Sequence, residues 1–400
     1  MWGIVFLLIG ILGFLIYWLG NRKLGRLLFV AYIARAAAAL IHQYVFILPA
    51  GCCDAFRFEA NAWQWSQYSG DVFLELFNPS SSYVISWLGA LLYSVFGRDM
   101  LLLQMFNVFL GTITVYVVYK IADEFLEQRY AYIAAWLFAL HPTVIEHSAV
   151  FLREVQVILF LSLGILYFVK WLKTNRSLFV VNSFLFTILS SFFHGGMVFG
   201  ILVMAIVVGG VILSRYLRAL ETTRVKKGTF LTTAVVTVGI VVLSMQGLPE
   251  LSTVGDLSRL LAAEQAADAA GTAVENRAHG GAAYLTGMAP GNPLDIIWQA
   301  PIRVVYFLFS PFPWDISSIT HLKGFIDSGF LIYISYIMWK YRRELWANDI
   351  FRYLFYILLL YVFVFSYGTS NFGSAIRHKS KFMPIIVMFY GLKQYHWRKE

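Results

Sequence analysis

Apolar runs of about 17–20 residues recur along the chain, each long enough to cross a hydrocarbon core of roughly 30 Å. No other feature restricts the fold as strongly. Inside lipid every backbone N–H and C=O must find its partner within the protein, and runs of this length do so as helices. Composition agrees: of 400 residues 59% are hydrophobic, 18% aromatic and only 13% charged, against about 25% charged in a soluble domain. The sequence predicts an all-α, polytopic transmembrane bundle, one integral membrane domain over residues 1–400. About 11 spans are expected, near 2–20, 27–48, 100–119, 130–147, 155–172, 178–193, 197–213, 229–246, 325–341, 350–367 and 382–392.

Charge sets the expected topology. The first run has no base before it and no small-residue cleavage site after it, so it reads as a retained span. Arg22, Lys23 and Arg26 follow and place the first hairpin turn in the cytoplasm by the positive-inside rule. The second span then returns the chain to the outer face. Counting 83–96 as a crossing would put Lys170, Lys173 and Arg176 outside, with the five bases between Arg215 and Lys227. That segment therefore reads as interfacial or re-entrant. Pro311 and Pro313 give 302–314 the same reading, because two prolines one residue apart break a helix. The net charge of +9 lies in short loops between spans, so it reports topology and implies no nucleic-acid partner.

Two long loops are expected outside. Residues 49–82 mix aromatics (Phe56, Phe58, Trp63, Trp65, Tyr68) with Asp71 and Glu75, which favours short juxtamembrane helices in the headgroup layer. Residues 247–300 are rich in Ala, Gly and acids, with Arg259 and Arg277 as bases, and read as a partly ordered outer cap. Arg35 and His42 lie inside the second span; they either face the bundle or touch substrate.

Four polar groups then share the expected outer face. Asp54 and Arg57 stand three apart in the first loop, a spacing that shares a helix face. Arg153-Glu154 opens the span that runs to Leu172, after His141-Pro142 and Glu146-His147. His194-Gly195-Gly196 joins two spans. The fourth is the tract from Tyr367 to Lys381, with Arg377, His378, Lys379 and Lys381. Bases placed outside against the positive-inside bias call for an anionic ligand, and Arg and Lys beside flexible backbone suit phosphate. Two acids from separate loops suit base catalysis, one taking a proton from an acceptor and the other orienting it or holding a divalent cation. Each group also has a plain structural reading: an ion pair for Asp54–Arg57, a helix-dipole partner for Glu154, a tight turn for the glycines after His194, lipid headgroups for the last tract. The sequence holds no Walker loop, dinucleotide fingerprint or metal-spaced cysteine set. Its only cysteines are Cys52 and Cys53, to which no role is assigned.

These residues carry a resemblance. Asp54 with Arg57 after an early span is similar to the first-loop acid motif of the GT-C superfamily of multi-span glycosyltransferases, which includes protein O-mannosyltransferases and the aminoarabinose transferases of lipid A. Ser86-Trp87 through Leu91-Leu92-Tyr93-Ser94-Val95-Phe96-Gly97, on to Asn107, Gly111 and Tyr116, looks like that family's run into the next span. Ala134-Ala135-Trp136-Leu137-Phe138-Ala139-Leu140-His141-Pro142 and then Arg153-Glu154 resembles the stretch that ends in a second outer acid. The resemblance covers about residues 45–175. It implies inverting transfer of a sugar from a polyprenyl-phosphate carrier to a glycan, lipid or protein acceptor, at the periplasmic side of a bacterial inner membrane. In that scheme Asp54 is the base, Glu154 assists, and Arg57, Arg153, His194, Arg377, His378, Lys379 and Lys381 meet substrate and phosphate. The tract near the end also resembles membrane polysaccharide polymerases, so a polymerase or ligase using lipid-diphosphate oligosaccharides is the alternative. A lipid-linked sugar transporter would need mid-membrane charge, for which Arg35 and His42 are the only candidates in the early spans.

Overall fold

The computed structural model describes residues 13, 22–78, 83–221, 270–276, 282–316 and 319–399. Every element among them is helical; there is no strand, and a single antiparallel bridge joins Ala283 to Asn371. The expected spans at 2–20 and 229–246, and most of the 247–300 loop, lie outside the described residues.

The first described helix, α1 (Arg22–Tyr44), contains the alanine-rich stretch around Arg35; alanine has the strongest helix propensity. Its buried side includes Leu24, Leu28, Ala31, Arg35, Ala39 and His42, the three- and four-residue spacing of one helix face. Both intramembrane polar residues thus face the bundle. A 3-10 turn at Pro49–Gly51 leads into α2 (Asp54–Trp65), then α3 (Gly70–Glu75) and α4 (Val84–Phe96). At 1.5 Å per residue the 13-residue α4 reaches about 20 Å, too short to cross lipid alone. It packs on α2 instead, with Gly89 against Ala62 and Phe151.

The centre of the bundle is built from α5 (Met100–Asp123), α6 (Gln128–Ala139), α7 (Pro142–Ala149), α8 (Glu154–Thr174) and α9 (Ser177–Phe193). The span expected at 130–147 is not one helix. It breaks at Leu140-His141, and Pro142 opens α7, where its missing N–H costs nothing. Arg35 caps the break: its Nη1 donates to the carbonyl of Ala139, the last residue of α6, at 2.9 Å, and to Ala31 at 3.0 Å. Helices α8 and α9 cross closely at Gly164. A Cβ there would lie 2.9 Å from Thr187 Oγ1, and the Ser183 hydroxyl donates to the Gly164 carbonyl at 2.8 Å. Small residues bring membrane helices together in this way.

The second half contributes α10 (Val198–Glu221), α11 (Pro293–Phe309), α12 (Ile319–Lys340), α13 (Arg342–Ala347), α14 (Asp349–Tyr367) and α15 (Phe372–Ile386). Asn292 and Asp295 form a capping box on α11, and Asn371 caps α15 by accepting from Gly373 N–H at 2.9 Å. Residues 302–309, expected to be an isolated re-entrant piece, are the end of the 17-residue α11. The last expected span, 382–392, runs through the end of α15 into a 3-10 helix, Val387–Lys399.

Among the described residues five helices are long and apolar enough to cross a membrane: α1, α5, α8, Gly195–Arg218 and α14. The protein is an integral membrane protein. Pro49–Gly51 at the end of α1 and the Val150–Arg153 segment before α8 both lead to the same region, where the functional residues gather.

Candidate active site

Asp54 is the first residue of α2 and Glu154 the first of α8. Each is delivered by a short braced segment. Before Asp54, His42 Nδ1 accepts from Leu48 N–H at 3.0 Å. The same ring fills the space a side chain at Gly51 would need: a Cβ there would lie 2.1 Å from it. Before Glu154, Asn107 Nδ2 donates to the carbonyls of Val150 and Leu152, both at 2.8 Å. Arg35 and His42 of α1 therefore both hold backbone, Arg35 at the α6 break and His42 at the turn before Asp54.

Arg377 joins the two acids. It meets Glu154 side-on, Nε to Oε1 at 2.5 Å and Nη2 to Oε2 at 3.2 Å, while Nη1 donates to Asp54 Oδ2 at 2.7 Å. The other oxygen of Asp54 pairs with Arg57. Glu154 is fully buried; Asp54 keeps 31% of its side chain exposed. The site therefore opens at Asp54. Burial pushes the Asp54 carboxyl up, but hydrogen bonding and charge from Arg377, then Arg57 and Arg153, outweigh it and hold it below its ordinary 3.8. Burial likewise opposes the charge on Arg377, and the two carboxylates reverse this and raise it.

Further cations surround the pair. The Arg153 guanidinium lies 5.6 Å from the Phe58 ring centre and within electrostatic reach of Glu154, Arg377 and Asp54. Lys381 is within reach of Glu154 and donates to His378 Nδ1 at 2.8 Å; an ammonium has no lone pair with which to accept. His378 and His194 stand ring to ring, centroids 5.2 Å apart and nearly perpendicular. His194 Nδ1 accepts from Gly196 N–H at 3.2 Å, which leaves its proton on Nε2. Burial, then Lys381 and His378, holds that ring well below its ordinary value and so neutral. Arg57, Arg153, Arg377 and Lys381 are four cations against the two carboxylates Asp54 and Glu154. The surplus of two positive charges gives the cluster a positive local field, which can draw an anion.

One expected member is elsewhere. Lys379 is buried with its ammonium on the carbonyls of Leu308 (3.2 Å) and Ser310 (3.1 Å), where it caps the end of α11. Lys323 and Asp327 of α12, to which the sequence assigned no role, reach α7 instead: Lys323 pairs with Glu146, and Asp327 accepts from the Thr143 hydroxyl at 2.8 Å. Two charges four apart at the start of an apolar helix were the available signal. Among the described residues no group of three or more His, Cys, Asp or Glu side chains converges as metal ligands. A guanidinium, not a void, lies between Asp54 and Glu154, so this arrangement does not fit a divalent cation shared by the two.

The family model for dolichyl-phosphate-mannose-protein mannosyltransferases matches residues 80–245, a stretch that holds Glu154 but neither Asp54 nor Arg377. Solved structures share the fold, among them two from Archaeoglobus fulgidus. The apo oligosaccharyltransferase of Archaeoglobus fulgidus is 14% identical with a TM-score of 0.51, over 93% of this chain and 51% of that one. The oligosaccharyltransferase AglB of Archaeoglobus fulgidus, in complex with an inhibitory peptide and a dolichol-phosphate, is 13% identical with the same score and coverage. The chain shares the membrane-protein fold of these oligosaccharyltransferases. The chain spans about half the length of those two proteins, and at such identity the likeness concerns the fold alone. No curated protein sequence matches. In this chain the first-loop acid Asp54 and Glu154, the acid that opens α8, are the two carboxylates that Arg377 bridges.

Proposed function

We propose that this GT-C-type protein transfers a glycosyl group from a polyprenyl-phosphate carrier to a hydroxyl of a glycan, lipid or protein acceptor, at the outer face of a bacterial inner membrane. One observation carries the reading: Arg377 is shared by two carboxylates from separate loops, in a cluster with two cations more than it has acids. The acceptor oxygen attacks the anomeric carbon, the bond from that carbon to the phosphate oxygen breaks, and the phosphate departs with the electron pair. The acceptor proton passes to Asp54. Arg377, Lys381, Arg57 and Arg153 meet the charge that grows on the leaving phosphate, with the Nε2–H groups of His194 and His378 nearby.

The apo geometry adds a coupling to that scheme. Asp54 is a weak base while Arg377 holds it, because its proton affinity is low. A phosphate that draws Arg377 toward itself loosens the Asp54 contact and raises that affinity. Base strength is then greatest when the donor is bound, which limits idle chemistry.

The placement of bases supports the outer face. Arg22, Lys23 and Arg26 begin α1, and Lys170 and Lys173 end α8, each on the far end of its helix from Asp54 or Glu154. Helices of this length put about 30 Å between the two ends. The positive-inside rule then assigns the acid end to the outside.

The test is a surface-glycan profile of cells lacking the native protein, complemented with wild type, Asp54→Asn or Arg377→Ala at matched membrane abundance. Loss of the same glycan in both variants supports the transferase. Full product from Asp54→Asn with loss from Arg377→Ala moves the assignment to a lipid-diphosphate polymerase or ligase. Wild-type glycan from both overturns the site.

A further inference from the structure

The turn that delivers Asp54 has a backbone problem. In Pro49–Gly51 the proline has no N–H, and Gly51 N–H is satisfied locally by the Leu48 carbonyl at 2.8 Å. Ala50 N–H has no local acceptor. It is met from 96 residues away by Glu146 Oε1 of α7, at 2.7 Å. The other carboxylate oxygen of Glu146 pairs with Lys323 of α12. Glu146 keeps 9% of its side chain exposed and Lys323 23%. Two residues after the turn, Cys53 adopts φ 60° with ψ −91°, a positive-φ conformation that a non-glycine residue holds only when its surroundings fix it.

We propose that Glu146, oriented by Lys323, is a positioning residue for Asp54, acting through Ala50 N–H. A bond from an N–H to a carboxylate is stronger than one between neutral groups, and this one anchors the only stretch between α1 and α2. Three elements meet in it: the turn before Asp54, α7 and α12. The inference rests on the assignment of Asp54 as the base. It adds that the reach of Asp54 depends on an ion pair in a different part of the bundle, one that touches none of the reacting atoms.

The chemistry is sensitive to such a brace, since a displacement of about 1 Å at a reacting group costs on the order of 100-fold in rate. Cys52 and Cys53 are the only two cysteines in the sequence, and both are exposed directly before Asp54. Their rate of reaction with a maleimide therefore reports the mobility of the turn without reference to activity.

The experiment uses the full chain in lipid nanodiscs with a polyprenyl-phosphate sugar as donor, and compares Glu146→Met, Glu146→Gln and the exchange Glu146→Lys with Lys323→Glu. Glu146→Met is expected to lower kcat about 10- to 100-fold, leave donor KM within about twofold, and speed maleimide labelling severalfold. Glu146→Gln keeps an acceptor for Ala50 N–H and is expected to fall between that variant and wild type on both measures. The exchange restores the ion pair but puts an ammonium where Ala50 needs an acceptor, so it should fold, label fast and turn over slowly. Wild-type labelling and kcat in Glu146→Met, or in the exchanged protein, overturns the proposal. Asp54→Asn run beside them separates the two readings. If it is active, the base assignment fails while labelling still decides whether Glu146 holds the turn. If it is inactive and the Glu146 variants behave as wild type, the positioning role alone fails.

Discussion

Arg377 and Glu154 are 223 positions apart and meet as a side-on pair, Nε to Oε1 at 2.5 Å and Nη2 to Oε2 at 3.2 Å, with the carboxylate fully buried. Removing one partner of such a pair strands the other charge and costs about 3–5 kcal/mol. Arg377→Ala should therefore lower thermal stability in nanodiscs by that amount. Adding Glu154→Gln should recover most of the stability and none of the sugar transfer. Were the single and double variants equally stable, the pair would not be the main partner of Glu154.

Arg377→Lys separates charge from shape. A lysine keeps the positive charge but cannot reach Glu154 and Asp54 together with a planar fork. The expected protein is folded, with transfer reduced about 100-fold. Activity near wild type would mean that charge alone is required at this position.

The pH dependence follows from Asp54. Its folded value lies below the ordinary 3.8, so the stability this pairing adds is present above 3.8 and is lost only as pH falls through the lower, folded value. In the free enzyme Asp54 stays ionised across the neutral range. The profile of kcat/KM should show no acid limb from Asp54 above pH of about 4. Asp54→Asn should lose about 100- to 10,000-fold in kcat without moving donor KM, the range of a lost general base. An acid limb near neutrality that vanishes in this variant would contradict the low value.

Much of this site was legible because charges stand out in sequence that is otherwise apolar. Asp54, Glu154 and Arg377 were each found as expensive groups beside membrane-grade segments, and the structure brings them together. Lys379 lies apart from the neighbouring bases for a geometric reason. Two residues along a helix turn about 200°, so once Asn371 starts α15, Arg377 and Lys381 share a face and Lys379 points away. The tract reads as a glycine-rich loop unless that cap is recognised. The break within 130–147 had its signal in Pro142, hidden by apolar residues on both sides. The link between Glu146 and Lys323 had none, since nothing local relates two residues from distant helices.

Lys379→Met offers a check on that placement. The substitution removes the donor to the Leu308 and Ser310 carbonyls and should cost about 1–3 kcal/mol of stability. Donor KM should stay unchanged in the protein that remains folded. Lys381→Met should do the reverse, raising donor KM with a smaller loss of stability. A raised donor KM in Lys379→Met would return that residue to the phosphate site.

Asn107 gives the sharpest test of how Glu154 is placed. Its amide donates twice, to Val150 and Leu152, and so fixes the last turns of chain before Arg153-Glu154. Asn107→Ala leaves two buried carbonyls without this donor and should cost about 1–3 kcal/mol, with kcat reduced about 10-fold by the loosened carboxylate. Asn107→Asp is nearly isosteric yet should be worse than alanine. It faces two carbonyl oxygens with an acceptor where a donor is needed, and either keeps a buried charge or binds a proton to avoid one. Thermal unfolding of the two variants side by side decides the point. If aspartate is tolerated better than alanine, the side chain acts at this position by filling space and not by donating.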